Sequence, residues 1–524
     1  MEKRLLLAVT LSIVVLLTYQ VILTKVNPPP LPGAVRIQEP PVRPAEQKEA
    51  VPAEAVKTIL PDSAVIRTVQ GERYKIDIAD IGGSISRITI KDPLGHDLNL
   101  VDNAAYEAGV LSMKGSGALS NLSSENFSPG SASGTMSFQN SDFRVEKNIA
   151  FLKDTQGMKA SLKITNVSGA GKAVSFDIVA ASNISKKEVY EQKLIEINIC
   201  FKDGKIKRLT GANLLKYNRL YAEGIEWIAL KNKYYAIVAK PGFTPKGVFT
   251  KGVAGEPVIG FIVEDDNVSH GETRTYNIDF YVGPMEIKEL EKVDQGFTKV
   301  LNFGFLTSIS LVLLSILKFF NAIFHNYGVA ILLLTLFVSL FLYPLTFKSL
   351  KSMQKLQELQ PHMEKIRSEH KDNPAKVNKE IMELYRRYKV NPMGGCLPMF
   401  LQMPVFIALY NTLSRSVELK GAGFLWIKDL SMPDAFIPLK FSLPVIGSAI
   451  NLLPILMIGA MILQQKMSQI KAAGQTEQQK MMAVLMPLIF GFIFYSLPSG
   501  LVLYWLTNTL ITSGLQFMMS KKSA

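Results

Sequence analysis

The sequence predicts a polytopic α-helical membrane protein with a large all-β domain outside the bilayer and a helical hairpin on the opposite side. Six windows contain no Asp, Glu, Lys or Arg. They are 5–24, 300–317, 319–347, 390–414, 441–465 and 481–520. A helix that crosses a bilayer needs about 20 such residues. Residues 25–299, in contrast, are ordinarily polar. These two observations exclude both a purely soluble chain and a wholly embedded one.

The first element is the apolar stretch 5–23, which follows Lys3 and Arg4. A basic start and an apolar core also occur in cleavable signal peptides. This stretch is long, however, and no small-x-small cleavage site follows it. We therefore expect residues 1–25 to be an uncleaved signal anchor whose basic start stays in the cytoplasm. Residues 26–61 are rich in Pro and are expected to form an extended linker outside the bilayer.

Residues 62–290 are expected to form the external domain as a large β-sandwich. Short alternating or β-branched runs are separated by clusters of Gly, Asn, Asp and Ser, which is typical of strands joined by turns. The predicted strands are 64–69, 74–78, 85–90, 173–179, 195–200, 258–263 and 274–282. A sandwich of this size could bind carbohydrate or peptide in a groove. A docking or spacer role is the simpler interpretation.

Basic residues predict how the remaining windows cross the bilayer, because loops rich in Lys and Arg stay in the cytoplasm. The segment 348–389 carries 11 Lys and Arg against 6 Asp and Glu, so we expect it inside. Only one span, at about 327–347, can then connect it to the external domain. The window 300–317 is therefore expected to be an interfacial helix within the segment 291–326, rather than a further span.

Four more spans complete a predicted five-span core over 327–520. Residues 394–414 lead out of the cytoplasm, 415–440 form an external loop, and 441–465 return. The last window breaks at 497–500, a Leu-Pro-Ser-Gly turn signal, which gives two helices joined by a tight external hairpin. Together with the N-terminal anchor, the prediction is six spans with both termini in the cytoplasm.

The basic segment 348–390 has the periodicity of two amphipathic helices. Asn373 followed by Pro374 is a favourable helix start, with the amide as N-cap and the proline at the first helical position. We therefore predict a cytoplasmic hairpin of two antiparallel helices that meet at this tip. Its predicted apolar contact positions include Leu350, Met353, Leu359 and Ile381. A solvated hairpin without a partner is the alternative, but the positive charge favours an anionic partner such as lipid or RNA.

The motifs of common enzymes and metal sites are missing from the sequence. There is no P-loop, no H-E-x-x-H and no G-x-S-x-G motif, and the five His residues lack metal-ligand spacing. We therefore predict no catalytic residue, no metal and no cofactor. A small-solute transporter or channel is the alternative function. The five core spans lack the ionisable residues that transporters usually place inside the membrane.

Several motifs resemble those of the YidC membrane protein insertases of the Oxa/Alb superfamily. They lie at 343–346, 359–361, 388–398, 402–406, 426–430 and 498–505. This resemblance covers about 300–520, and the N-terminal half resembles the Gram-negative form of the family by its architecture. The resemblance implies a multi-pass protein of the bacterial inner membrane, with a large periplasmic domain, that inserts and folds other membrane proteins without consuming nucleotide.

The resemblance also implies a mechanism and a set of partners. In this family five helices enclose a hydrophilic groove that is open to the cytoplasm and to lipid, and a nascent transmembrane segment passes through it. The implied partners are nascent membrane proteins, the Sec translocon, the ribosome and membrane lipids, and DNA is not among them. The implied groove residues are Thr335, Ser339, Met403, Phe406, Tyr504 and Trp505.

One position departs from the family pattern. Four residues before Tyr343, where the family commonly has a groove Arg, this chain has Ser339. Thr335 stands one helical turn earlier, so both hydroxyls are expected on one face of the helix. A fixed positive charge that attracts acidic substrate flanks is therefore not available at this position. We expect the groove to be polar but uncharged.

Overall fold

The computed structural model describes residues 64–92, 95–103, 105–184, 195–214, 218–253, 256–302, 306–370, 373–390, 397–443, 447–469 and 477–522. The expected signal anchor (1–25) and Pro-rich linker (26–61) lie outside these residues. So do Asp372 at the hairpin tip and the 391–396 part of a family motif.

Strands occupy the N-terminal part of the described chain. In chain order they are β1 (Ile66–Gln70), β2 (Tyr74–Ala79), β3 (Ser84–Lys91), β4 (Asp97–Asp102), β5 (Met113–Gly115), β6 (Ser128–Pro129), β7 (Thr135–Gln139), β8 (Phe143–Phe151), β9 (Gly157–Asn166), β10 (Lys172–Ser182), β11 (Glu196–Phe201), β12 (Ile206–Thr210), β13 (Leu220–Tyr221), β14 (Ile225–Lys231), β15 (Tyr235–Pro241), β16 (Gly247–Val253), β17 (Glu256–Val268) and β18 (Thr273–Pro284). Each of the seven runs that the sequence predicts overlaps one of these strands. The predicted large β domain is therefore confirmed.

The strands of this domain form three sheets. The orders are β1-β2-β3-β4, β13-β16-β17-β10-β5 and β12-β11-β14-β15-β18-β9-β8-β7-β6. Their pairs are antiparallel, for example with Phe280 opposite Met158 in β18 and β9. Buried side chains from all three sheets, such as Ile76, Phe261 and Phe280, belong to one apolar cluster. Buried positions alternate with more exposed ones along β8 and β9, as expected for a sheet with one face in the core.

One lysine lies inside this apolar core. Lys147 occupies an inward position of β8, in phase with the buried Val145, and its side chain is only 2% exposed. Its Nζ donates hydrogen bonds to Gly82 O at 2.5 Å and Leu111 O at 2.8 Å, and it lies 4.6 Å from the ring centroid of Phe127. Burial lowers the pKa of Lys147 to about 7, because the charged form loses its hydration.

Helices form the C-terminal part of the described chain. They are α1 (Ile287–Val293), α2 (Thr307–Phe324), α3 (Tyr327–Glu358), α4 (Gln360–Glu369), α5 (Pro374–Arg387), α6 (Leu397–Arg415), α7 (Leu452–Gln469), α8 (Glu477–Phe494) and α9 (Ser499–Lys522). Two strands, β19 (Ile437–Leu443) and β20 (Gly447–Ile450), lie between α6 and α7. By length and apolar composition alone, Thr307–Phe324 and Tyr327–Leu356 could cross a membrane, with mean hydropathies of 1.8 and 2.3.

The predicted break in the last apolar window is confirmed. Helix α8 ends at Phe494 and α9 begins at Ser499, directly after Pro498. Proline fixes its own φ and disfavours helical geometry in the residue before it, so a helix usually stops there. The amide nitrogens of Ser499 and Gly500 donate to the carbonyls of Met432 and Leu430 in the loop after α6, which satisfies the free N–H groups of the new helix start.

The predicted span 441–465 is partly wrong. Its first ten residues belong mainly to the hairpin of β19 and β20, and helix α7 starts only at Leu452. The start is fixed by Asp434, whose Oδ2 accepts hydrogen bonds from the amides of Leu452 at 2.9 Å and Leu453 at 3.0 Å. A carboxylate in this position satisfies free N–H groups and suits the positive end of the helix dipole. Because Asp434 lies 18 residues earlier, hydropathy alone did not reveal it.

The window 300–317 forms a helix, but with different bounds. Helix α2 begins at Thr307 and continues beyond the window to Phe324. It therefore includes Lys318, the residue at which the charge-free window ends. The ammonium group of Lys318 forms an ion pair with the carboxylate of Glu418, in the loop after α6. This pairing offsets part of the cost of carrying a charge within an apolar helix.

We predict that the buried Lys147 makes the stability of the β domain depend on pH. Its pKa is 10.5 in an unfolded chain and about 7 in the folded domain, so unfolding takes up a proton between these values. Stability should therefore rise with pH in this window, by up to about 1.4 kcal/mol per pH unit from this group. The Lys147→Met variant should show a smaller slope in thermal unfolding of the full chain in detergent, followed by circular dichroism.

The matched control is Lys163→Met, which changes an exposed lysine on the neighbouring strand β9. This variant should keep the slope of the wild type. Equal slopes for the wild type and Lys147→Met would contradict a lysine that is largely neutral in the folded domain at alkaline pH.

Candidate functional site

The candidate site lies in the helical region, where the predicted groove residues come from α3, α6 and α9. These helices share an apolar core with α2 and α7. Its members include Leu317, Leu334, Leu409, Met457 and Leu503. Hydroxyl groups connect α2 with α6, since Ser310 Oγ donates to Ala408 O at 3.1 Å and Thr412 Oγ1 lies 3.2 Å from Ser310 O. Such bonds hold helices together where lipid is as apolar as their side chains.

Thr335 and Ser339 lie on one side of α3 but differ in exposure. Thr335 is fully buried, and its Oγ1 donates to the carbonyl of Ile331 in the preceding turn at 2.7 Å. Ser339 is half-buried, and its Oγ lies 3.3 Å from Oδ1 of Asn508 on α9. The sequence predicts both hydroxyls in a groove; in the structure Ser339 is partly exposed, whereas Thr335 is not. Thr335 belongs to the core, because α3 packs tightly at that turn.

A second polar contact joins α6 to α9. The side-chain amide of Gln402 donates to the hydroxyl of Tyr504. Tyr504 is fully buried, whereas Gln402 is half-buried. Tyr504 and Asn508 are one helical turn apart on α9, so this helix binds α6 at one level and α3 at the next. The predicted groove residue Tyr504 therefore lies inside the bundle and supports the half-buried amide beside it.

Phe406 and Trp505 meet in an aromatic cluster with Phe490 and Phe494 of α8. The ring centroids of Phe406 and Trp505 are 5.2 Å apart with a nearly perpendicular arrangement. Phe494 lies 5.1 Å from Trp505 and 5.6 Å from Phe406, and Phe490 stacks on Trp505 at 5.7 Å. Edge-to-face and offset contacts of this kind contribute about 0.5–1.5 kcal/mol beyond the buried area. The cluster therefore fixes α6, α8 and α9 relative to one another.

The surface next to these residues is apolar. On α3 the exposed apolar side chains include Leu336 and Leu340, which lie on the same side of the helix as Ser339. On α8 they include Leu488 and Phe492, and on α6 Met403 is 44% exposed. Met403 is thus the most exposed of the predicted groove residues. An unbranched, polarizable side chain at such a place can adapt to varied apolar partners.

The site therefore combines two kinds of surface. Half-buried neutral polar groups, those of Ser339, Gln402 and Asn508, lie between α3, α6 and α9. Exposed apolar side chains flank them on the same helices. The described parts of these three helices contain no ionisable group next to this polar set, apart from tyrosine. Such a surface can offer hydrogen bonds to the polar flank of a helix and apolar contacts to its middle, without covalent chemistry.

The predicted hairpin also forms its own small core. Leu359, Leu384 and Val390 are buried together, and the Tyr385 hydroxyl lies 3.5 Å from Met363 Sδ. Leu359 stands at the short break between α3 and α4. The hairpin of α4 and α5 is therefore confirmed, with the difference that its first arm is the end of α3 followed by α4.

The predicted tip and contact positions are found as follows. Asn373 Oδ1 accepts a hydrogen bond from the Lys376 amide at 3.1 Å, and Pro374 is the first residue of α5, so the predicted helix start is confirmed. Leu350 is buried, whereas Met353 and Ile381 are half-buried. Leu350 and Met353 lie on the continuous part of α3, so they connect the hairpin to the bundle.

Sequence reasoning missed some residues of the site. Asn508 was one of several scattered neutral polar residues in the apolar windows, and nothing local marked it as the partner of Ser339. Phe490 and Phe494 are four residues apart, which places them on one helix face, and this spacing could have indicated an aromatic cluster. The helix start that Asp434 caps could also have been predicted from the sequence. Pro454 suits the first turn of a helix and therefore indicates a helix start near Leu452.

Two family profiles match the chain. The profile described as "60Kd inner membrane protein" matches residues 319–524, and the profile described as "YidC periplasmic domain" matches residues 68–316. The first range contains α3 to α9 with the candidate site. The second range contains nearly all of the β domain and most of α2. The two halves of the structure therefore each match a separate part of one protein type.

Full-length relatives connect these halves. The membrane protein insertase YidC of Maridesulfovibrio salexigens is 31% identical over 99% of this chain and 99% of that protein. That of Pelobacter propionicus is 32% identical over 99% of each chain. That of Syntrophobacter fumaroxidans is 38% identical over 61% of this chain, and the match spans 58% of that protein. The chain therefore belongs to the YidC family of membrane protein insertases, as a non-enzymatic inner-membrane protein with a periplasmic domain.

Proposed function

We propose that this insertase receives a nascent transmembrane segment at the polar face between α3, α6 and α9 and releases it sideways into lipid. The observation that carries this proposal is the position of Ser339, Gln402 and Asn508. They are half-buried between helices and lie beside exposed apolar side chains such as Met403. The polar flanks of a transmembrane segment would contact the polar groups of this surface, and its apolar middle would contact the exposed apolar side chains.

The energetics require no nucleotide. Moving about 20 apolar residues from water into lipid is favourable, at a few tenths of a kcal/mol for each favourable residue. The barrier is the passage of polar flanks through hydrocarbon, where an unsatisfied polar group costs several kcal/mol. Neutral side chains such as Ser339 and Asn508 lower that barrier by offering hydrogen bonds on the way. They also release the flank easily, since they hold no charge.

The proposed topology has six spans with both termini in the cytoplasm and α2 at the outer interface. Contacts of α2 support the interfacial position. Ser310 binds α6 near Ala408 and Thr412, while Lys318, two turns later, pairs with Glu418 beyond the end of α6. These contacts lie along the second half of α6 and the loop that follows it, the part of the chain that the proposed topology assigns to the outer side of the bilayer.

The cytoplasmic hairpin is proposed to capture the ribosome or the emerging nascent chain, with the Sec translocon as a further partner. Its charges support this role. The basic side chains of Lys376, Lys379, Arg386 and Arg387 on α5 are exposed, whereas the apolar side of the hairpin is closed by Leu384. An exposed basic surface suits the phosphates of ribosomal RNA and of anionic lipid.

The function is tested by reconstitution. The purified full chain in liposomes should insert a small single-span protein without nucleotide, measured as protection of the translocated part from protease. Replacing residues 350–388 with a flexible linker should abolish insertion, because capture is lost. Insertion at the wild-type level by the linker variant would contradict the proposed role of the hairpin.

A point variant sharpens this test. Leu384→Ala removes a buried side chain of the hairpin core, which should cost about 2–5 kcal/mol and unfold a hairpin of this size. Insertion should fall several-fold. Met382→Ala is the matched control on the same helix, because Met382 is 51% exposed, and it should retain activity.

Crosslinking tests where the substrate binds. A cysteine at Met403, which is 44% exposed, should crosslink to an arrested nascent chain. A cysteine at Tyr504, which is fully buried, should crosslink weakly, although sequence comparison alone treats both as groove positions. Phe406→Cys and Trp505→Cys should give intermediate yields, since these side chains are half-buried. Strong crosslinks at 504 with none at 403 would place the substrate on a different face of the bundle.

Ser339→Arg tests the missing groove charge. The half-buried position beside Asn508 leaves a route for a long side chain towards the open surface, so the variant should fold and remain active. Insertion of substrates with acidic translocated tails should rise about two- to fivefold, since a partly exposed charge pair contributes up to about 1 kcal/mol. Substrates with neutral tails should be unaffected. Loss of insertion for both classes would show that Ser339 does not face the substrate path.

A further inference from the structure

A cavity of about 750 Å³ lies between the β domain and the helical region, away from the proposed groove. The β domain contributes Glu196 of β11 and Lys231 of β14 to its walls. The helical region contributes Ser414 and Arg415 at the end of α6, and Leu497 in the turn between α8 and α9. Its volume falls in the range of small-molecule binding pockets, about 300–1,000 Å³. It therefore has room for a ligand as well as for solvent.

The cavity walls carry an excess of positive charge. Lys231, Lys233 and Arg415 line it, against the single carboxylate of Glu196. The side chain of Lys231 is only 4% exposed, and its Nζ lies 3.7 Å from Glu196 Oε2. In the part of the chain that the structure describes, no carboxylate lies within 4 Å of Arg415, whose guanidinium donates to the backbone carbonyl of Asn302. The carboxylate of Glu196 is shared between Lys231 and Arg208, whose Nε lies 3.4 Å from Glu196 Oε1.

The positive charges of Lys231 and Arg415 repel each other. Burial lowers the pKa of Lys231 to about 8, Glu196 acts in the opposite direction, and the nearby charge of Arg415 lowers the pKa further. Two cations from different parts of the fold thus face a shared space without a common counter-ion. An anion between them would reduce their repulsion and would connect β14 to α6.

A neutral donor is directed into the same space. Ser414 is 9% exposed and lines the cavity, and its Oγ has no hydrogen-bond partner among the described residues. A buried hydroxyl without a partner costs free energy, so such groups usually meet a ligand or solvent. Together with Arg415 it offers the mixed set of charged and neutral donors that suits a phosphate group.

The apolar residues of the cavity wall indicate which kind of phosphate-bearing molecule would fit. Ser414 and Arg415 lie at the end of α6, and Tyr410, which also lines the cavity, is 40% exposed one turn earlier on the helix. Four residues of helix correspond to about 6 Å. The apolar side chains of Leu497 and Met432 complete this part of the wall. The cavity therefore combines basic side chains with apolar ones, and both the β domain (Ile195) and the helical region (Leu497) contribute apolar residues.

We propose that this cavity binds the headgroup of an anionic phospholipid from the periplasmic leaflet and thereby holds the β domain against the helical region. The phosphate lies between Lys231 and Arg415, with Ser414 as an additional donor. The glycerol and the start of the acyl chains pass Tyr410 and Leu497 towards the bilayer. This site is separate from the groove, so it does not depend on how the substrate passes through the bundle.

The test titrates the delipidated full chain in detergent with phosphatidylglycerol and phosphatidylcholine, read out by native mass spectrometry. The first bound phosphatidylglycerol should bind about tenfold more tightly than phosphatidylcholine, which corresponds to about 1.4 kcal/mol. Arg415→Gln should reduce this preference to about twofold or less. Lys428→Gln, an exposed residue of the same external loop that does not line the cavity, should keep the full preference.

A second variant covers the case in which Arg415→Gln does not fold, since Arg415 also binds the carbonyl of Asn302. Ser414→Leu fills the cavity and leaves that bond intact, and it should abolish the tight lipid site. Ser414→Ala should weaken the site only about threefold, because it removes one neutral donor.

Three outcomes would overturn the proposal. One is a preference for phosphatidylglycerol over phosphatidylcholine that is the same in the wild type, Ser414→Leu and Arg415→Gln. Another is inorganic phosphate that competes at the same concentration as the lipid, which would indicate a site for a free anion. The third is displacement of the lipid by a short acidic peptide at lower concentration than by phosphatidylglycerol, which would indicate a site for translocated substrate tails.

Discussion

Helices in lipid gain little from burying apolar side chains against one another, because the acyl chains around them are equally apolar. The described helical bundle therefore depends on neutral polar contacts between its members. Helix α9 binds α6 through Tyr504 and Gln402, and one turn later it approaches α3 through Asn508 and Ser339. The same contacts leave amide and hydroxyl groups at the edge of the bundle. A stabilising device of the fold thus also supplies the polar surface on which the proposed insertion depends.

The β domain is joined to the bundle by contacts of the loop after α6. Val417 is buried in the main apolar core of the β domain, although it follows a membrane helix. The Tyr234 hydroxyl lies 3.2 Å from Ser431 Oγ, and the Lys420 ammonium lies 5.0 Å from the ring centroid of Tyr234. These contacts include both polar and apolar ones, and Val417, Tyr234 and Ser431 are buried. The cavity with Arg415 lies beside them, so a ligand there would act on the same connection.

Helix α3 connects the two functional parts of the bundle. It runs without interruption from Tyr327 to Glu358, so the residues of the polar face and the first arm of the hairpin belong to one helix. Pro344 lies within it, between Ser339 and Leu350, and removes one backbone donor from the hydrogen-bond ladder. A bend at this point would move the hairpin relative to the face that meets lipid. Such a bend would link the proposed capture at the hairpin to the proposed entry at the polar face.

The sequence alone determined the class of the protein, most helices of the described apolar windows, the break at Pro498, the start of α5 at Asn373 and the large β domain. These features depend on hydropathy, periodicity and caps, which are properties of neighbouring residues. Only the tertiary structure decided that Thr335 and Tyr504 are buried while Met403 is exposed, since burial depends on which helices pack together. The late start of α7 has the same cause, because Asp434 acts from outside the helix. Contacts between residues that are far apart in the chain, such as Ser339 with Asn508, leave no mark in a local pattern.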